Sequence, residues 1–259
     1  MKRLLPLALA IASSAFGEDR DFCSDRPGQA TPPCTMEAGH AIFETGLIDW
    51  TRQSDPMQRS DTILYGDTLL RLGVADSAEV QLEWTPWGHQ RVRDKASGAV
   101  MRSSGTGDVT FGVQRGLAGP NGPVALKAFV TFPTGGDAIG QQTWSAGAVI
   151  PAAFDLSKSL QLGLTAEAEA AANASGSGRH LAFSGVAGLG FKLTEAVQLT
   201  VDAALLRDDD PSGETTQATG GASIAWQAGK NTQLDVGTVA GLNRDSPDIE
   251  IYAGFSRRF

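Results

Sequence analysis

The chain has 259 residues, 41% of them hydrophobic and 19% charged, with a formal net charge of −8 at pH 7. An acidic chain without a basic run is not built to hold nucleic acid, and 31 glycines with no fixed period do not make a collagen. Beyond the N-terminus there is no stretch of eighteen apolar residues, which excludes a transmembrane helix.

The first residues, MKRLLPLALAIASSAFG, place Lys2 and Arg3 before an apolar stretch from Leu4 to Ala12 and small residues from Ser13 to Gly17. This is the layout of a secretion signal over residues 1–17, cleaved after Gly17 or, alternatively, after Ala15, and its apolar run is too short to anchor a helix. Residues 18–38 then read as an N-terminal periplasmic segment. They contain the only two cysteines, Cys23 and Cys34, and in an oxidising compartment such a pair is most simply a disulfide closing a small loop. The loop is worth about 2–3 kcal/mol in chain entropy. The segment supplies no histidine for a metal site.

From Gly39 onward the pattern is alternation, not helical periodicity. Short breaks at 75–77, 118–122, 155–158, 194–195 and 229–231 take turns with longer ones near 51–58, 88–104, 134–141, 173–178, 208–214 and 244–247. Twelve strands result, near 39–50, 59–74, 78–87, 105–116, 123–133, 142–153, 159–172, 179–193, 196–207, 215–228, 232–243 and 248–259. Alternating short and long connections, with an even strand number, match an all-β transmembrane antiparallel barrel over 39–259, with periplasmic turns and larger extracellular loops. Strands of about ten residues suit a tilted bilayer span.

Each strand should carry one apolar face. Leu160, Leu162, Leu164, Ala166, Ala168 and Ala170 oppose Gln161, Thr165, Glu167 and Glu169, and Val197, Leu199, Val201, Ala203 and Leu205 oppose Gln198, Thr200 and Asp202. A β-sandwich shows the same period, so the second face decides. It carries charge in mid-strand at Asp67, Arg71, Glu83, Lys127, Glu167, Glu169, Asp202, Asp235 and Glu250. In a barrel these line the lumen, where they are hidden from lipid, and Asp108 and Arg258 are assigned to the same lining. Aromatics form two belts, with Trp84, Phe132 and Trp144 at the loop ends and Phe191, Trp226, Phe255 and Phe259 at the turn ends.

The stretch from Asp25 to Leu47, DRPGQATPPCTMEAGHAIFETGL, resembles the opening of outer-membrane barrels named for the MetA pathway of phenol degradation, at Asp25, Arg26, Pro27, Gly39, His40 and Glu44. LRLGVADSAEVQLEW, GTGDVTFGVQRGL, FVTFPTG and the terminal YAGFSRRF are similar to its recurring segments. The resemblance implies that Glu44 points inward. It also implies an outer-membrane transport protein tied to the uptake of aromatic compounds, and a C-terminal aromatic read by the barrel-insertion machinery. Arg257 departs from the pattern, because that position is usually aromatic or apolar, and the cysteine pair is not general to the family.

Catalysis finds little support. Nucleophilic chemistry needs three groups in mutual reach, and His40, His89 and His180 are far apart in sequence. Glu167 and Glu169 share a face as an acid–base pair would, but a lumen-lining ladder explains them as well. Asp208, Asp209 and Asp210 form an acidic run that could collect cations; no defined metal site and no cofactor are assigned. The resulting expectation is a narrow diffusion channel of a Gram-negative outer membrane for small molecules, with the loops and the disulfide-closed N-terminal segment restricting access and a weak cation preference. Its partners would be outer-membrane lipid and lipopolysaccharide, the insertion machinery and small solutes. A non-conducting barrel that organises partners and a lipid hydrolase dependent on His180 are the alternatives.

Overall fold

A computed structural model describes residues 20–259, so the secretion signal expected over 1–17 lies outside the described residues. The strands are β1 (Ala41–Ser54), β2 (Gln58–Tyr65), β3 (Asp67–Ala75), β4 (Ala78–Trp84), β5 (Trp87–Asp94), β6 (Val100–Gly105), β7 (Val109–Gly116), β8 (Ala125–Phe132), β9 (Ser145–Ser157), β10 (Leu160–Ala172), β11 (Arg179–Lys192), β12 (Val197–Asp208), β13 (Thr215–Gln227), β14 (Thr232–Gly241) and β15 (Ile249–Arg258). All pair antiparallel. Twelve of them, β1, β3, β4 and β7 to β15, close a barrel through the β15–β1 pairing.

Three staves of this barrel are broken strands. β2 and β3 are separated only by Gly66, held at φ +70°, a left-handed conformation that glycine adopts without strain. A Cβ there would stand 2.9 Å from the Pro86 ring, in the break between β4 and β5, so both staves bend at one level. Residues 106–108 separate β6 from β7 in the same way. Above the bends, the end of β1 continues with β2, β5 and β6 as a four-stranded extension. The loop expected over 88–104 is therefore mostly the β5–β6 hairpin, and the loop expected over 51–58 shrinks to 55–57. Alternation in these stretches is polar on both faces, which hides strand character from a reading based on hydrophobic period.

Burial is inverted relative to a water-soluble sandwich. Glu44, Arg71, Glu79, Gln81, Gln114, Asp202, Asp235 and Ser256 are buried, while Val201, Leu205, Leu234, Val236, Leu242 and Ile251 are exposed. A polar interior and an apolar exterior are what lipid demands of a closed barrel. Trp84, Phe132, Trp144, Trp226 and Phe259 are exposed, and Phe191 and Phe255 are partly so. At the seam, Thr45 pairs with Phe255 and Phe43 with Arg257, and the Phe43 and Phe255 rings lie 5.9 Å apart. The last residue completes the closure. The Phe259 amide donates to Ala41 O at 2.8 Å, and the Ala41 amide donates back to Phe259 O at 3.2 Å. Arg257 lies over the Phe259 ring at 5.5 Å, so the misfit in the terminal pattern is packed against the anchor. Replacing Phe259 with Ala should lower the amount of heat-modifiable, assembled barrel recovered from outer membranes; an unchanged amount would show that the ring is dispensable.

Candidate functional site

The N-terminal segment, expected to restrict access to the channel, enters the barrel. Cys23 and Cys34 are joined by a disulfide, with their Cα atoms 6.6 Å apart. The chain from Ser24 to Met36 crosses the lumen and bonds to wall residues from nine of the twelve staves. Alternation showed that the lumen is polar, but not that part of the same chain would satisfy it.

Arg71, on β3 near the periplasmic end, organises this contact. Its Nε donates to Glu79 Oε1 at 2.7 Å, Nη1 to Cys23 O at 2.9 Å and Nη2 to Cys34 O at 2.8 Å. Glu44 Oε1 lies 3.5 Å from Nη1, and both carboxylates are fully buried. Glu44 accepts the amides of Asp25 and Arg26 and the Ser256 hydroxyl, and Glu79 accepts the Met36 amide and Gln81 Nε2. Gln114 donates to Pro32 O and Cys34 O. On the facing wall Arg26 pairs with Asp235 at 2.9 Å, Gln233 donates to Arg26 O at 3.0 Å, and the Tyr252 hydroxyl donates to Pro27 O. At mid-height Gln29 donates to Asp202 through its amide and its side chain, Thr219 donates to Gln29 Oε1, and the Thr31 amide donates to Thr165 Oγ1. Glu79, Gln81 and Gln114 were not singled out in the sequence, and Arg26 was marked only by the family resemblance. The signal available was their inward position next to strand ends that look unremarkable.

The other assigned residues spread over the lumen. Lys127 pairs with Glu83 at 2.9 Å, and Asp67 accepts the Thr85 hydroxyl at 2.6 Å. Glu167 stands across from Val149 and Ser184, and Glu250 across from Thr51. Glu169 lines a cavity of about 390 Å³ at the extracellular end with Gln141, Gln142, Leu206 and Asp208. Arg258 sits at the periplasmic rim, where it bonds Asn231 and Arg20 O. Asp108 is taken up by the extracellular loop over 133–144. It sits in the break before β7, and its carboxylate accepts the Gly135 and Gln141 amides at 2.7 and 2.6 Å, which ties down the 133–144 loop.

Open space runs beside the inserted segment. A cavity of about 570 Å³ at the periplasmic mouth is lined by Phe22, Pro32, Gln161, Lys192, Gln198 and Gln227, among others. It adjoins a narrower one of about 120 Å³ against Gly163, Gly188, Gly190 and Thr200, the two sharing Ser24, Arg26, Pro27, Pro32, Gln161 and Gln198. The glycines make this gap. A Cβ on Gly163 would already stand 3.5 Å from the Ala30 methyl, and one on Gly188 would stand 3.4 Å from Asp202 Cβ.

Among the described residues one cluster has ligand atoms close enough for a metal, namely His180, Asp208 and Asp210 at the extracellular end. His180 Nε2 lies 2.8 Å from Asp208, and Nδ1 lies 2.9 Å from Asn173 Oδ1. Asp210 is already occupied. Its carboxylate accepts the Ser212 hydroxyl and the Ala174 and Ser212 amides, which hold it down to about 2. The resulting tie between loops is present above the ordinary value of 3.8 and is lost only as pH falls through about 2. His89 Nδ1 lies 2.8 Å from Ser104 Oγ. His40 stands 3.8 Å from Glu37 at the rim.

Replacing Arg71 with Met should cost about 3–5 kcal/mol, because Glu44 and Glu79 are left in a buried site without their cation. The urea midpoint of the barrel in detergent reads this loss; a midpoint equal to wild type would mean that the clamp does not support the fold.

The fold is shared with outer-membrane barrels. An outer membrane channel from Pseudomonas putida F1 superposes with a TM-score of 0.69 at 12% identity, over 90% of this chain and 99% of that one. The CymD monoaromatic hydrocarbon channel superposes with a TM-score of 0.51 at 9% identity, over 86% and 89%. The β-domain of the Bordetella autotransporter BrkA gives 0.53 at 16%, over 85% and 99%. No curated protein matches the sequence. The sequence profile described as "Putative MetA-pathway of phenol degradation" matches residues 24–259, and the chain belongs to that family.

Proposed function

We propose that the protein is a narrow diffusion channel for small solutes of a Gram-negative outer membrane, exported by its N-terminal signal and assembled by the barrel-insertion machinery. The observation that carries this reading is the glycine-lined gap beside the inserted segment. It leaves a strip of wall without bulky side chains at the height where the inserted segment bonds to the facing wall. Small aromatic compounds are the favoured solutes, in keeping with the family's description and with CymD, a monoaromatic hydrocarbon channel. A planar ring needs less bore than a sugar of equal mass. Solutes would leave the extracellular cavity past Thr165 and Asp202, follow the Gly163–Gly188 strip and exit through the periplasmic cavity. Arg71 offsets one of the two clamp carboxylates, and Glu167, Glu169, Asp67 and Glu250 add acidic groups to the extracellular half, which favours cations over anions weakly.

A non-conducting barrel is the second reading, favoured by the bonds of Gln29 to Asp202 and Thr219 and of Thr31 to Thr165 across mid-lumen. Liposome swelling separates the two. Wild-type protein should admit small aromatic acids faster than hexoses, and the double change Gly163→Leu with Gly188→Leu should slow that flux several-fold. Absence of swelling, or swelling indifferent to the two leucines, would overturn the channel route.

A further inference from the structure

The four-stranded extension sorts its charges by face. Arg52 pairs with Asp61, Asp61 with Arg91 and Arg91 with Arg102, in one row across β1, β2, β5 and β6. Arg59 pairs with Arg93 in the row two residues beyond. Cross-strand partners, and residues two apart along a strand, share a face, so five of the chain's 15 arginines stand together around one aspartate. The opposite face carries none of them. It is the inner one, because the 133–144 loop packs there; a Cβ on Gly88 would stand 2.5 Å from Ile139 Cδ1. The arginine face is the outer one, since Arg52 and Trp50 align with Ile249 and the exposed Ile251 on β15.

The arginines are not balanced within the protein. Asp61 is shared by Arg52 at 2.9 Å, Arg59 at 3.0 Å and Arg91 at 3.6 Å. Among the described residues, Arg93 and Arg102 lie within 4.0 Å of no carboxylate. Arg91 opposite Arg102 and Arg59 opposite Arg93 are like-charge cross-strand pairs, which destabilise a bare sheet. Four net positive charges on one small face of a chain of net charge −8 need an external anion to offset the repulsion.

The position of the face selects the anion. Directly below the arginines the same face carries Trp50, Tyr65, Trp87 and His89, with the Tyr65 and Trp87 rings 5.2 Å apart and Trp87 stacked on His89 at 6.0 Å. These belong to the extracellular aromatic belt with Trp84, at the level where hydrocarbon gives way to headgroups. Arg52 lies two residues beyond Trp50 and Arg93 six beyond Trp87, or about 7–20 Å along tilted strands. The guanidiniums therefore point sideways into the headgroup layer and not up into solvent. Guanidinium forks bind phosphate oxygens bidentately, which an ammonium cannot do.

We propose that this face binds the phosphorylated glucosamine headgroup of lipopolysaccharide in the outer leaflet, its phosphates bridging the arginine pairs and its acyl chains packing below on the Trp50–Tyr65–Trp87 belt. The proposal rests on the outer-membrane placement above and is independent of conduction. The test is native mass spectrometry of the purified barrel in detergent, titrated with bisphosphorylated lipid A, with phosphate-free lipid A of the same acyl pattern and with phosphatidylglycerol. Bisphosphorylated lipid A should bind saturably and weaken as salt is raised. Binding should fall at least about tenfold for phosphate-free lipid A and for the Arg91→Gln, Arg93→Gln, Arg102→Gln variant, the loss of one charge-assisted contact or more. A control with Arg179→Gln and Arg207→Gln should bind as wild type, and heat-modifiable mobility confirms that each variant is folded. Equal binding by the triple variant, or phosphatidylglycerol bound as tightly as lipid A, would overturn the assignment. The triple variant should keep wild-type liposome swelling, so failure here and failure of the channel reading are told apart.

Discussion

A buried guanidinium holds this structure together. Arg71 faces two carboxylates from the wall, Glu44 and Glu79, and two backbone carbonyls from the inserted segment, those of Cys23 and Cys34. A buried carboxylate pair without a cation would be strongly unfavourable, and a buried cation without its full set of acceptors would be too. Each side therefore requires the other. The disulfide gives the arrangement its shape, since it fixes the two carbonyls close enough for one planar fork to reach both. With that corner set, Arg26 meets Asp235 across the lumen, and Gln29 and Thr31 reach the middle of the wall.

Two solvents impose opposite demands on the same strands. Lipid requires the outside to be apolar and the backbone to be fully paired, which the alternation and the β1–β15 seam provide. The interior must then satisfy many inward polar groups in a bore too wide to be filled by side chains alone. The chain uses its own N-terminal segment for this on one side, and leaves a glycine-lined strip on the other. Restricted passage follows from the same packing that stabilises the barrel. Above the membrane both demands end, and the extension distributes its charge differently, with polar neutral residues inward and arginines outward.

Much of the barrel was legible in the sequence because each feature is local. Alternation, the succession of short and long breaks, and the terminal Phe255 and Phe259 are read within ten residues, and they place the twelve staves to within a few positions. What escaped is what depends on distance in sequence. Arg52, Arg59, Arg91, Arg93 and Arg102 span fifty residues and form no basic run, so only the β1–β2–β5–β6 pairing brings them together. The wall partners of residues 20–38 escaped for the same reason. The segment was expected to restrict access, but Glu44, Asp235 and Asp202, which hold Asp25, Arg26 and Gln29, lie up to 209 residues away. Asp108 was assigned by its place beside a strand, but a loop with free amides competed for its carboxylate and won.

The central claim is that the N-terminal segment resides in the lumen against the glycine strip, and a disulfide trap tests it most directly. A Cβ built on Gly163 lies 3.5 Å from that of Ala30, within the range a disulfide spans. In outer membranes, the double change Ala30→Cys with Gly163→Cys should oxidise spontaneously and almost completely, shown by mass spectrometry of the cross-linked peptides. Free thiols at both positions in a barrel that retains its heat-modifiable mobility would contradict the account.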